Sequence, residues 1–454
     1  MIKRHYFIGS ALVGCIAAMS SPAFAQVSQA EVDGTMAETG PARNDTEIVV
    51  TARKVGEKIQ DIPLSINAFS DVTLERRDIT NLDALAKAAP GISLFQGNDR
   101  AYGVLTFRGM RNNSNFDSTR ENSSIFIDGV YYIGTPANLN FDDVQRVEIV
   151  KGPQSAFFGR STFGGAINFI TKTPRNELHA SAFVRAATYN HYEARASIEG
   201  PLVSDILAVR VNGRYESFGG MYKNVLTGDQ LGKQKTASVS GTVSFTPTPE
   251  LNIRGSIAHV QQDDGPPAAQ LIGRRPTHNC TVSGQTRYCG LLRFSGDAAI
   301  APVTPQALPK IPEPGFHRKF TNMSLTASYD LGGGYAITSL TGYQHEQLTN
   351  VDNFTHSADD VYGFSNARRQ SATSEELRIT SPQDARLRVL AGLYYIRQNY
   401  FSDGLFIYGT QNPFAGFVGG PGALTAPAPV TKQITNKAVF GSVAFDLTSE
   451  LTRS

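Results

Sequence analysis

Few residues in this 454-residue sequence are spaced for catalysis. The eight histidines are scattered, and no dyad, triad or zinc-ligand spacing occurs. Gly159 to Gly165 lacks the Gly-Lys-Ser/Thr ending of a phosphate-binding loop, so its glycines read as tight-turn residues of a packed body. The sequence therefore predicts neither an enzyme nor a bound metal or cofactor. What remains for chemistry is binding. Arg100, Tyr102, Arg111, Asn112, Phe116 and Arg120 mix cations with aromatic rings, which suits an anionic or catecholate ligand. Solvated loop tips are the alternative reading. Cys280 and Cys289 stand in a Gly/Thr/Ser-rich stretch and predict a disulfide worth about 2–3 kcal/mol. A metal pair with His278 is the weaker reading, since no second pair exists.

The elements that must position these residues begin with export. Lys3 and Arg4 precede an apolar run from Tyr6 to Met19, and Ala23-Phe24-Ala25 forms a cleavage site, so residues 1–25 read as a secretory signal peptide. Leu12-Val13-Gly14-Cys15 loosely fits a lipoprotein site, but the apolar run continues past Cys15. Export also favours the disulfide. Removing residues 1–25 takes two basic and no acidic residues, which balances 42 Lys+Arg against 40 Asp+Glu. No basic field remains for nucleic acid.

Residues 26–45 are polar and small and predict a flexible tether. Thr46 to Ala52 is a short β-prone run with no sheet of its own, either disordered or waiting for a partner's sheet edge. Residues 53–175 predict a compact α+β domain. It has a strand over 61–66, one helix from Asp71 to Ala88, strands over 103–108 and 124–130, and a polar loop over 111–122. From Leu178 the pattern becomes period two and repeats about ten times. Leu207, Val209 and Val211 alternate with Ala208, Arg210 and Asn212, and Met323, Leu325 and Ala327 alternate with Ser324 and Thr326. Turns near 200–205, 246–250, 330–334 and 381–385 are short. Loops near 218–234, 262–319, 346–370 and 399–435 are long. That alternation predicts a transmembrane β-barrel wall with tight turns on one side of the membrane and long loops on the other. The sequence has no Trp, so its Tyr and Phe must supply the interfacial girdles.

Residues 146–172 run strand, Gly152-Pro153 turn, small-residue segment, Gly164-Gly165 turn and strand. With Phe107-Arg108-Gly109, Phe126-Ile127-Asp128-Gly129-Val130, Ser374 to Thr380 and Leu390 to Tyr395, this resembles the TonB-dependent outer-membrane receptors. The resemblance implies a mainly β fold: an N-terminal α+β plug over 53–175, then part of a transmembrane antiparallel β-barrel over 176–454. About ten of an expected twenty-two strands are present, as in a longer receptor cut at its C-terminus.

It implies a TonB box at Glu47, Ile48, Val49, Val50, Thr51 and Ala52, whose β-branched side chains favour extension onto a TonB sheet. It places Arg108 and Arg146 where they could form a plug–barrel lock with Glu375 and Glu376, unless those carboxylates face lumen water. It places Arg100, Tyr102, Arg111, Asn112, Phe116 and Arg120 in outward plug loops. The implied activity is import of a scarce solute, foremost a ferric siderophore, across the outer membrane. The implied partners are the TonB C-terminal domain of the TonB–ExbB–ExbD complex and outer-membrane lipid. Oligosaccharide, cobalamin or an aromatic compound are alternative substrates. A passive porin-like channel, a non-functional receptor fragment and a secreted structural β protein are the rival readings.

Overall fold

The computed structural model describes residues 49–51, 53–62, 64–97, 99–112, 121–139, 141–159, 161–269, 280–287, 314–358, 362–408, 411, 424–425, 428–447 and 452–453. The expected signal peptide and tether, Glu47, Ile48, Ala52, Phe116, Arg120 and Cys289 lie outside them.

The chain opens as a ribbon that folds back on itself. Strand β1 (Val49–Val50) pairs antiparallel with β2 (Glu57–Lys58). The strand expected over 61–66 begins later, as β3 (Ser65–Ser70), after a 3-10 turn over Ile59–Asp61. The expected single helix is two, α1 (Asp71–Arg76) and α2 (Leu82–Ala88). Asp78 takes a left-handed φ of 50°, and the Ile79 amide closes back onto the Leu74 carbonyl at 2.9 Å. That ends α1 in the manner of a helix C-cap. Asn81 Oδ1 then accepts from the Ala84 amide at 2.9 Å and starts α2 as an N-cap. The helical spacing of Leu74, Ile79, Leu82 and Leu85 survives the break because all four are buried in one core.

Strands β4 (Ile92–Gln96), β5 (Gly103–Phe107) and β6 (Met110–Arg111) form one small sheet. Strands β7 (Ser123–Ile127) and β8 (Val130–Tyr131) join β9 (Val144–Lys151), helix α3 (Ser155–Phe158) and β10 (Gly165–Thr171). The larger sheet has the order β3-β9-β10-β7-β8, with β10 parallel to β7 and antiparallel to β9. Strand β10 over Gly165–Phe169 and β9 over Val147–Val150 are buried on both faces, and β9 takes the carboxylate of Glu148 into that interior.

Around this inner body curls an antiparallel wall of long strands. They are β11 (His179–Ala187), β12 (His191–Val203), β13 (Leu207–Phe218), then, past a loop hairpin of β14 (Tyr222–Lys223) and β15 (Gln230–Leu231), β16 (Gln234–Thr248) and β17 (Leu251–Asp264). A hairpin of β18 (Cys280–Val282) and β19 (Gln285–Arg287) lies in the next loop. After it come β20 (Gly315–Gly332), β21 (Tyr335–Asn353), β22 (Tyr362–Thr380), β23 (Leu387–Tyr408), short β24 (Leu424–Thr425), β25 (Val430–Asp446) and short β26 (Thr452–Arg453). Ten long strands pair with their neighbours in chain order among the described residues.

The short turns fall where expected, at 204–206, 249–250, 333–334 and 381–386. The long loops are shorter than expected. Strands β21 and β22 run on to Asn353 and from Tyr362, so only 354–361 is left of the loop expected at 346–370. The strand ends there carry polar residues on both faces, which erases the period-two signal while the backbone ladder continues. Strands of 18 to 22 residues exceed the roughly 9–11 needed to cross lipid.

Register assigns the faces. The row Ile198–Val211–Gly241–Ile257–Met323–Tyr343 and the row Leu377–Leu393–Val439 point outward and are exposed at nearly every position. A continuous apolar belt of this extent is a lipid-facing surface. Exposed Tyr192, Tyr215, Tyr329, Tyr335 and Tyr343 stand in for the missing Trp. The inward face is polar and buried: Arg210, Asn212, Thr242, Asn322, Gln344, Glu346, Gln370 and Glu376. Wall residues Phe320, Ala372 and Ile396 belong to the same apolar cluster as the inner body. No helix among the described residues is long and apolar enough to cross a membrane, which says nothing about crossing by strands.

Candidate functional site

Several of the residues the sequence singled out, among them Thr51, Glu376 and Arg100, lie along the contact between inner body and wall. The ribbon comes first. Val50 is fully buried while Val49 is exposed, as β1 lies against its own partner β2. The expected free strand thus already has a partner edge. The Thr51 amide donates to Glu148 Oε1 at 2.9 Å, and Thr51 Oγ1 lies 3.2 Å from both Glu148 oxygens. Glu148 is fully buried on β9 and also accepts from Arg146 Nε at 2.8 Å. Three residues on, Lys54 Nζ reaches across to the wall and donates to Glu376 Oε2 at 2.8 Å. Its ammonium stands 5.7 Å from the Phe158 ring centroid and 6.0 Å from that of Phe440 on β25. Both side chains of the pair are under a tenth exposed, and Arg378 gives Glu376 a second bond at 2.8 Å. Burial pulls the Lys54 ammonium below its ordinary range, against the opposing pull of Glu376.

This geometry corrects the expected lock. Glu376 does tie inner body to wall, but through Lys54. Arg146 spends its guanidinium on Glu148 within its own strand. Glu375 points to the outer face, where Ser339 and Thr341 hydroxyls donate to it at 2.7 and 2.5 Å. Strand parity is the reason, because adjacent residues on a strand face opposite sides. Arg108 sits exposed at the β5–β6 turn with a left-handed φ of 45° and makes no ion pair with a carboxylate among the described residues.

A second set of bonds fixes the body to β13–β17. Arg210 meets Asp143 at 2.7 Å, Arg214 meets Asp142 at 2.6 Å and Arg254 meets Asp128 at 3.2 Å. Asp142 and Asp143 follow the 3-10 turn of Pro136–Asn138, and Asp128 occupies a left-handed turn position with φ 50°, so each carboxylate is presented by irregular backbone. Burial pushes the Asp143 carboxyl up, against the Arg210 charge beside it.

The deepest node lies under β20–β22. The Arg318 side chain is fully buried and donates to Glu346 at 2.6 Å, to Gln262 at 3.2 Å and to the Tyr132 hydroxyl at 3.1 Å. Glu346 also accepts from Arg368 at 3.0 Å and Gln370 at 2.6 Å. Gln370 donates to the Ile133 carbonyl at 2.6 Å, and Gln344 accepts from the Ile133 amide at 2.9 Å. Segment 130–139 of the inner body is thereby held by main chain and side chain at once. Tyr132 also packs edge-on to Phe320 at 5.2 Å between centroids. Sequence reading missed this node. Its only signal was Arg318, Glu346 and Arg368 on inward positions of an alternating pattern.

Of the six residues expected to meet a ligand, Phe116 and Arg120 lie outside the described residues, and the other four are not brought together as one surface. Arg100 Nε donates to Asp264 Oδ2 at 2.7 Å and Nη1 to Thr236 at 3.0 Å, so it is a bolt to the wall. Tyr102 packs with Ala101, Phe316 and Leu348, and burial pushes its phenol up to about 12. Asn112 is a buried clip, donating to the Ser123 carbonyl at 2.9 Å and accepting from the Asn122 and Ser123 amides at 2.8 and 3.0 Å. Of the four described, Arg111 alone is exposed, 5.8 Å from the centroid of exposed Phe95. Beside Tyr102, Asp99 accepts from Asn350 at 2.8 Å and from the Ala101 amide at 2.8 Å, and burial raises its carboxyl. Cys280 is disulfide-bonded, and the expected partner Cys289 lies outside the described residues.

A folded body bolted inside a lipid-facing β wall defines a plugged outer-membrane barrel protein. Residues 58–166 match the family model of the TonB-dependent Receptor Plug Domain. The pesticin receptor of Yersinia pestis is 25% identical over 250 residues, 55% of this chain and 34% of that protein. The catecholate siderophore receptor Fiu of Escherichia coli K12 is 30% identical over 166 residues, 35% of this chain and 20% of that protein. Among solved structures, the ferric yersiniabactin uptake receptor FyuA of Yersinia pestis aligns with a TM-score of 0.60 at 16% identity, covering 85% of this chain and 62% of that one. The ferripyoverdine receptor of the Pseudomonas aeruginosa outer membrane aligns with a TM-score of 0.66 at 14% identity, covering 88% and 52%. The match thus spans a fifth to a third of the length of these two curated relatives. Residues 58–166 are thus a TonB-dependent receptor plug domain, and the β wall around them has the fold of the solved outer-membrane receptors.

Proposed function

We propose that this chain serves TonB-dependent active import of a scarce solute, in the first instance a ferric siderophore. The observation that carries the reading is the ribbon. Residues 49–58 are fastened at Thr51 to the plug's buried Glu148 and at Lys54 to the wall's Glu376. A handle joined to the stopper at one point and to the frame at another is the arrangement that a pull from the periplasm can use. Solute docking on the external side shifts the ribbon toward release, and the TonB C-terminal domain then pairs with residues 46–52 as an added strand. Energy reaches it from the inner membrane through TonB–ExbB–ExbD. The similarity to a catecholate siderophore receptor and a pesticin receptor supports the solute class.

A passive pore is disfavoured by the plug, whose bolts cross to strands from β13 to β22. The test is capture of purified TonB C-terminal domain by the detergent-solubilised chain, paired with radiolabelled ferric-siderophore uptake with and without a proton gradient. Capture should be lost in Val49→Pro while solute binding persists. Uptake or conductance indifferent to TonB and to the gradient would return the porin reading.

A further inference from the structure

The inward face of the wall changes character beyond the plug. At Glu346, Arg368 and Gln370 it is polar and bolted. Toward the long loops the same face gains aromatic rings, in two rows. Asp352 of β21 is opposite Phe364 of β22, which is opposite Phe406 of β23. Two residues further out, the Phe354 amide donates to the Tyr362 carbonyl at 3.0 Å, and Tyr362 is opposite Tyr408. Strand positions 352, 362, 364, 406 and 408 share the parity of buried Glu346, Gln370 and Gln398, with no register shift between, so they face the mouth of the lumen. The rings touch as one cluster. Tyr362 stacks on Phe406 at 5.5 Å between centroids and 22° between planes, meets Tyr408 at 5.9 Å and takes Phe354 edge-on at 5.8 Å. Phe364 joins through Phe406 at 5.3 Å. None of the five is buried, and Phe354 is 59% exposed.

The charges around this panel are of one sign. Asp352 stands in its lower row, and Asp99 of the plug accepts from Asn350 two residues below. Among the described residues neither carboxylate makes an ion pair with a lysine or arginine; Asp352 has His356 at 3.7 Å. Burial holds the His356 imidazole below its ordinary range, so it is neutral at neutral pH. The guanidiniums closest to the mouth are already engaged, Arg100 by Asp264 and Arg368 by Glu346. Rings and carboxylates without a spare cation select by charge. An aryl group finds flat faces to stack on. A positive charge is drawn to those faces and to Asp352. An anion meets its like.

We propose that the panel of Phe354, Tyr362, Phe364, Phe406 and Tyr408 over Asp352 docks the imported solute, and that this solute presents an aryl group with no net negative charge. The inference rests on the import reading and narrows its solute. It sets aside multiply anionic catecholate complexes and selects neutral or cationic aryl solutes, free or as part of a ferric chelate. That reverses the charge expected from the bare residue types of the plug loops, because the arginine expected there at position 100 is spent on the wall.

The test is equilibrium dialysis of the purified full chain, in neutral detergent at neutral pH and low ionic strength, against probes of one shape and three charges. These are N-methylquinolinium, quinoline and quinoline carboxylate, each corrected for uptake by empty micelles. The cation should bind roughly 10-fold tighter than quinoline, the scale of one partly desolvated cation–ring contact, and the carboxylate should bind weakest. Asp352→Asn should cut the advantage of the cation over the carboxylate by roughly threefold or more and leave quinoline unchanged. Tyr362→Leu should weaken all three, and Lys87→Gln in the plug should alter none. The wild-type order decides without any variant: tightest binding by the carboxylate, a cation no tighter than quinoline, or no binding of any probe overturns the proposal. So does unchanged binding of all three in Tyr362→Leu. The readout needs neither TonB nor a gradient. Failure to capture TonB would therefore sink the import reading and leave the charge order standing, whereas a reversed order would sink the panel and leave capture standing.

Discussion

Glu346 and Arg318 share one buried bond, yet their removal should not be equivalent. Glu346 accepts from Arg318, Arg368 and Gln370, whereas among the described residues Arg318 has Glu346 as its one carboxylate and otherwise neutral acceptors. In Glu346→Ala the fully buried Arg318 guanidinium keeps its charge and loses its counter-charge, which costs about 3–5 kcal/mol. In Arg318→Met the carboxylate keeps Arg368 and Gln370, so the loss is on the order of one charged hydrogen bond, about 1.5–3 kcal/mol. The node holds segment 130–139, so the readout is amide hydrogen exchange there, above all at Ile133, whose amide donates to Gln344. A loss of 3 kcal/mol in local opening is somewhat more than a hundredfold in exchange rate, at about 1.4 kcal/mol per tenfold. Glu346→Ala should therefore speed exchange of 130–139 by about a hundredfold or more, and Arg318→Met clearly less. Exchange rising less than tenfold in Glu346→Ala, or the opposite ranking, refutes the view that an uncompensated buried charge dominates this contact.

Lys54→Met should loosen the ribbon by about 1.5–3 kcal/mol and raise both protease access to residues 49–58 and capture by the TonB C-terminal domain; unchanged access would mean that Thr51 alone holds it. Gly342 of the wall faces the plug, and a Cβ there would lie 2.5 Å from Val130 Cγ1 and 2.7 Å from Ser374 Oγ. Gly342→Ala should thus destabilise plug docking by roughly 1–3 kcal/mol, seen as faster exchange at Val130–Tyr132, while Gly213→Ala, whose Cβ would meet nothing nearer than 3.9 Å, should leave docking intact. Asp99 has its carboxyl raised by burial from an ordinary 3.8. Its contribution to holding loop 97–102 is then full below 3.8 and is lost as pH rises through the raised value. Intrinsic-rate-corrected exchange of Ala101 and Tyr102 should slow on acidification in the wild type and become pH-independent in Asp99→Asn; a wild-type profile flat between pH 4 and 7 would count against a raised carboxyl.

The sequence alone was enough for the wall and for the presence of a plug. Period-two alternation must place Val209, Val211 and Val243 on one face and Arg210 and Thr242 on the other, because a strand has only two faces. The alternation of short and long connections follows from a membrane that lies between them. The two strands Val144–Lys151 and Gly165–Thr171 were legible because the Gly152-Pro153 and Gly164-Gly165 turns bound β-prone runs. What the sequence could not supply was partnership across hundreds of residues. Lys54 and Glu376 are 322 positions apart, and Arg318 and Tyr132 are 186 apart. No local pattern ties a cation to one carboxylate among many. Parity sends Glu376 inward and Glu375 out, but which cation arrives at Glu376 depends on how the plug is seated. Arg100 and Asn112, which look like ligand donors as bare residue types, became a bolt and a clip only once Asp264 and Ser123 were beside them. Residue chemistry is written locally. The choice of counter-charge is made by packing, because only the folded chain decides which charges are denied water and must find each other.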